Sequence, residues 1–170
     1  MAEGAKSVAK IFIRGSVEAV WREITKTDEP IEAFFGNIMD TPGLKPGATI
    51  RMRTPPDKKF TGVVGEVIEF DPPRRFSHTF KFTDLEEAPC KVTYELRPVE
   101  GGVEFILTTE DAAPGSKTQK RMKGGESFIL NTLKGMVERG KPHFMGRFIL
   151  CTIACTRWMS PKKCLSTNWP

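Results

Sequence analysis

One stretch limits what the rest of this chain can do. From Gly124 to Gly140, Ile129, Leu133, Met136 and Val137 recur at i, i+4, i+7 and i+8, the stripe of an amphipathic helix. Phe128 and Leu130 widen it. Gly140 followed by Lys141-Pro142 supplies a left-handed C-cap and a stop, and Gly124-Gly125 marks a break or a close backbone approach at the other end. What precedes is mostly strand-like, so the helix is predicted to plug a curved sheet whose inner face has no other cover.

The strands can be read in order. Met1 to Lys6 reads as a loose terminus, and Ser7 to Arg14 alternates as a strand with Ala9, Ile11 and Ile13 on one side. Ser16 is a candidate N-cap for a short helix striped by Val17, Val20, Trp21 and Ile24. Asp28-Glu29-Pro30 ends that helix and opens another, carrying Ile31, Phe34 and Phe35. Strands Thr49–Arg53, Thr61–Phe70, Phe76–Phe82, Lys91–Arg97 and Val103–Glu110 follow, split by turn residues such as Asp71-Pro72-Pro73 and Glu100-Gly101-Gly102. Connections this short predict an antiparallel meander, about six strands with the first one included.

Beyond Gly140, Phe144, Phe148, Cys151, Cys155 and Trp158 fall at i, i+4, i+7, i+11 and i+14, a second amphipathic helix ended by Ser160-Pro161. Its stripe needs a partner. The two options are the chain's own body, where it would be a lid with Trp169 pinning the tail, and a homodimer through residues 144–158. Residues 1–170 read as a single domain.

With 39% hydrophobic and 28% charged residues among 170, composition is that of an ordinary globular domain. The formal charge of +5 comes from scattered lysines and arginines, which gives no nucleic-acid signature. Four cysteines without framework spacing and a start without an apolar leader predict reduced thiols in a cytoplasm. The most apolar run, Phe148 to Cys155, is far short of the roughly 20 residues of a membrane span.

A family resemblance rests on several stretches: Val17-Glu18-Ala19-Val20-Trp21-Arg22-Glu23-Ile24-Thr25, Leu44-Lys45-Pro46-Gly47, Gly65 through Phe76, Tyr94-Glu95-Leu96, Gly124-Gly125 and Leu130 through Gly140. In this order they resemble the START-like (SRPBCC) superfamily, and within it the family named after the activator of the ninety-kilodalton heat-shock-protein ATPase. The resemblance covers residues 7–140 and leaves 141–170 as a C-terminal helical extension. It implies an α+β helix-grip fold, a curved antiparallel sheet around a long helix over a cavity. Glu126-Ser127-Phe128 stand where that family usually has a Trp, with Phe128 as partial substitute. The fold alone implies no reaction, since it serves lipid carriers, cyclases, receptors and chaperone-binding domains.

The residues themselves offer one titratable candidate. Phe76, His78, Phe80 and Phe82 share a strand face, so His78 is predicted to face inward, either as a general base or as a core histidine bonded to a carbonyl or water. Glu66 shares its face with Val64, Ile68 and Phe70, and a water-exposed edge is the plainer reading. Tyr94 lies with Val92 and Leu96. Cys151, Cys155, Cys164 and His143 lack the close pairs of a zinc site, the paired thiols reading as buried on an apolar face, and no metal or cofactor is assigned. The predicted function is binding of a small hydrophobic or lipid-like molecule. The predicted wall is Ile11, Ile13, Met52, Phe76, His78, Phe80, Tyr94, Phe105, Phe128, Ile129, Leu133 and Met136. The alternatives are a cyclase or hydrolase using His78 and a chaperone-interaction or other protein-interaction module.

Overall fold

The computed structural model describes residues 5–170. Strand β1 (Ala5–Ile13) opens it, with Ala5 already paired to Ala112, so of the predicted loose terminus Lys6 belongs to the sheet and residues 1–4 lie outside the described part. Ile13 is buried while Val8 and Phe12 are exposed, the alternation the sequence predicts. In α1 (Val17–Thr25) the Ser16 hydroxyl accepts the Ala19 N–H at 3.1 Å, and Val20 and Ile24 are buried.

The second predicted helix is absent. Its place is taken by β2 (Pro30–Ile31), one 3-10 turn (Glu32–Phe34) and β3 (Asn37–Asp40). The helix stops because Phe35 and Gly36 both take left-handed backbone, φ 58° and 67°, which no helix continues. One 3-10 turn still buries Ile31 and Phe34. The additional short strands make the sheet eight-stranded rather than about six. With β4 (Thr49–Arg53), β5 (Thr61–Asp71), β6 (Arg75–Phe82), β7 (Cys90–Val99) and β8 (Gly102–Ala112), the order is β1-β8-β7-β6-β5-β4-β3-β2, antiparallel throughout. It is a meander from β2 to β8, with β1 laid on β8.

A bulge shifts the β5–β6 register, Val67 facing His78 but Glu69 facing Ser77. Val67 is therefore buried, Ile68 is 44% exposed and Phe70 returns to pack on Phe76. Glu66 is exposed on the same side as Ile68, the water-exposed position that is the plainer reading for it; the bulge that follows takes only Phe70 off the side grouped with it. Gly65 is required next to Glu66: a Cβ there would lie 1.9 Å from the carbonyl oxygen of Thr79.

The long helix α2 (Lys117–Arg139) starts at Lys117, not at Gly124. The Ser116 hydroxyl accepts the Gln119 N–H, and the Glu87 carboxylate accepts the N–H groups of Lys117 and Thr118, which settles the exposed donors of its first turn. Gly125 lies within the helix, where a Cβ would meet the Phe35 ring at 3.4 Å. Gly140 caps the end at φ 67°. Leu130 and Leu133 join Ile13, Phe76 and Phe105 in the core.

Helix α3 (Phe144–Thr156) and three 3-10 turns complete the chain. This extension packs on the protein's own body, but not by the predicted stripe. Phe144, Phe148, Cys151, Cys155 and Trp158 are exposed. The face turned inward carries Gly146, whose missing Cβ leaves room for Thr132, together with Leu150 beside Gly36 and Arg157, which donates to the Pro55 carbonyl. Gly146, Leu150, Ile153 and Arg157 also recur at helical spacing, and a glycine permits the closest approach.

Candidate ligand cavity

A cavity of about 290 Å³ lies between the sheet and α2. Each wall follows from the elements above. Phe34, Phe35 and Asn37 come from the 3-10 turn and β3, and Met52 from β4. Val63, Phe80, Phe82, Val92, Tyr94 and Leu107 come from consecutive strands of the meander, and Met122, Gly125 and Ile129 from α2. Pro161 and Cys164 of the extension close one side. There the Cys164 thiol accepts a hydrogen bond from the Thr83 hydroxyl, and Phe60 bridges Leu165 as one more pair of strand-like backbone.

Arg121 and Pro161 are exposed wall residues, so the cavity meets solvent between α2 and the tail. The Arg121 guanidinium makes two 2.8 Å hydrogen bonds to Asp84 and lies over the Phe82 ring. Its hydrogen bonds hold the Asp84 carboxyl below the usual range, although burial pulls the other way. The mouth is thus charged and the interior apolar, with Tyr94 and Asn37 as its polar wall residues. The Asn37 side chain donates to the Phe34 carbonyl at 3.0 Å, which leaves its oxygen free to accept.

Of the predicted wall, Met52, Phe80, Tyr94 and Ile129 line the cavity. Ile13, Phe76, Phe105 and Leu133 are fully buried core instead, and Ile11 packs on that core at its edge. Phe128 stacks on the wall residue Phe35 at 4.4 Å without itself lining the cavity, and Met136 is half-buried off the wall. Side-chain direction on a strand or helix separates inside from outside but not packed core from lining. Sequence reasoning missed Phe34, Phe35, Asn37 and the tail residues because their placement depends on the left-handed pair and on the extension's path.

His78 is also off the wall, 1% exposed. Its Nδ1 lies 2.8 Å from the Thr79 carbonyl, so Nδ1 carries the proton and Nε2 accepts the Tyr94 hydroxyl at 3.3 Å. Burial pulls its pKa down to about 4, partly countered by the bond to Thr79, and burial pushes the Tyr94 phenol above its usual range. A neutral imidazole with both nitrogens engaged, behind a tyrosine, is a poor general base near neutral pH. Cys151 and Cys155, predicted as buried thiols, are exposed, because the helix turns its other face inward.

The sequence profile of the Activator of Hsp90 ATPase homolog 1-like protein family matches residues 14–138, the stretch that runs from the end of β1 almost to the end of α2. The chain belongs to this family. Solved structures share the fold. The Aha1 dimer from Colwellia psychrerythraea is 18% identical with a TM-score of 0.64, the alignment covering 81% of this chain and 98% of that one. ChR145 from Cytophaga hutchinsonii is 22% identical, TM-score 0.63, covering 82% and 98%. CalU16 from Micromonospora echinospora is 15% identical, TM-score 0.62, covering 89% and 87%. No curated protein matches the sequence. The family match ends before α3, so the extension whose Pro161 and Cys164 line the cavity lies outside the matched region.

Proposed function

We propose that the protein binds a small, mostly apolar molecule in the cavity between sheet and helix, without catalysing a reaction on it. The supporting observation is the cavity itself: about 290 Å³ with apolar side chains on nearly every wall, just below the about 300–1,000 Å³ typical of ligand sites. Tyr94 and Asn37 offer polar contacts inside, and the Asp84–Arg121 pair marks the entrance. An enzyme that uses His78 is the weaker reading, because that imidazole is neutral, doubly hydrogen-bonded and off the wall. The family's description names an activator of a chaperone ATPase, and a protein-interaction role is the second reading; it requires partner binding that persists with the cavity filled.

The test is a melting-temperature series with small aromatic and aliphatic molecules on the wild type and on Val92→Phe, which extends a wall side chain into the cavity. Ligands that bind only the folded state raise the melting temperature in proportion to the logarithm of their concentration. The proposal expects such a rise in the wild type and its loss in a folded Val92→Phe. No rise with any member, or an equal rise in the variant, contradicts it.

A further inference from the structure

The excess positive charge of this chain sits in its last segment. The whole sequence has 26 Lys and Arg against 21 Asp and Glu; residues 139–170 hold six of the basic residues and no acidic one, which leaves 20 against 21 for residues 1–138. Arg157 turns inward onto backbone carbonyls and Lys163 pairs with Glu86 at 2.9 Å. Lys141, Arg147 and Lys162 are exposed and make no ion pair among the described residues.

Between these cations runs the outer face of α3 and of the 3-10 turn Arg157–Met159 that continues it. Phe144 is 78% exposed, Phe148 64% and Trp158 78%, with Met145 and Met159 beside them. Helical spacing places these side chains on one broad face, and a contiguous apolar surface of this kind marks an interaction site. The inner face is fixed to the body through Gly146 and Arg157, so the outer face stays turned to solvent.

We propose that this face docks on an anionic lipid surface, α3 lying in the plane of the interface with its aromatic and thioether side chains among the acyl chains and its cations at the headgroups. Tryptophan suits that depth, with one end of its ring apolar and the other wet. A second copy of the chain fits less well. A two-fold interface places the same patch on both partners, and here it would oppose two segments that each carry six basic residues and no acidic one. Among the described residues no helix is long and apolar enough to cross a membrane, so the attachment is peripheral. Pro161 and Cys164, which follow α3 after the 3-10 turn Arg157–Met159, line the cavity, so a short segment joins the docking face to the cavity wall. The docking itself does not depend on what the cavity holds.

The experiment is cosedimentation of the full chain with vesicles of phosphatidylcholine alone and of phosphatidylcholine with phosphatidylglycerol, at low and high salt, alongside sedimentation velocity without lipid. The wild type is expected to pellet with the anionic vesicles at low salt and to show a blue-shifted tryptophan emission that Trp158→Phe removes. Phe148→Glu with Trp158→Glu should weaken partitioning by about tenfold or more, and Lys141→Glu with Arg147→Glu should abolish the preference for phosphatidylglycerol. All substituted side chains are exposed, and circular dichroism checks that the variants fold. Absence of binding to anionic vesicles overturns the proposal. So does a lipid-free dimer that Phe148→Glu converts to a monomer, which would assign the face to a second copy.

Discussion

His78 donates its Nδ1 proton to the Thr79 carbonyl and accepts the Tyr94 hydroxyl on Nε2. Gly65 makes this possible, since a Cβ there would collide with that same carbonyl. The histidine has a consequence for stability. Its pKa is about 4 when folded against 6.5 for the free side chain, so between those values the unfolded state binds more protons. Stability from this group is fully present above pH 6.5 and is lost as pH falls through that window, by about 1.4 kcal/mol per pH unit. Urea unfolding of the wild type and of His78→Leu between pH 7 and about pH 5 measures it as a difference in slope. The wild type should lose stability with the steeper slope; parallel slopes would mean that His78 titrates normally in the folded protein. The inward direction of His78 was legible from the alternation of Phe76, His78 and Phe80. Its distance from the cavity was not, because that depends on Tyr94 standing in front of it.

At the scale of elements, the helical stripe predicted within α2 holds: Leu133 is fully buried among core residues. Leu133→Ala should cost about 2–5 kcal/mol in denaturant unfolding; a loss well below 1 kcal/mol would place its side chain against open space. A signal for the start of α2 was present, since Ser116 and Gln119 have the spacing of a capping box; the Ser116 hydroxyl accepts the Gln119 N–H, while the Gln119 side chain accepts the N–H of Gly115, one residue before the cap. Gly124-Gly125 obscured it by looking like a helix start. The Glu87 contribution to the same cap was not legible, because it comes from a loop thirty residues upstream. In α3 the periodicity was right and the buried side wrong. Two faces recur at the same spacing, and side-chain size favoured the large residues where close approach favoured Gly146.

For the whole molecule, short turns and alternating strands were enough to foresee a meander gripped by one helix. They were not enough to foresee the cavity. Its position depends on the chain reversal at Phe35-Gly36 and on a tail that returns to β5 and β6, both of which are tertiary events that a local pattern does not encode. The central claim is that this space receives a ligand. The chain has seven methionines; Met52 and Met122 line the cavity, while Met145 and Met159 are exposed on the extension. Methyl-labelled methionine observed by NMR during titration with indole, an apolar probe with one N–H donor, therefore reports where binding occurs. The account predicts saturable shifts at Met52 and Met122 with Met145 and Met159 unmoved. Shifts confined to Met145 and Met159, or none at all, would contradict it.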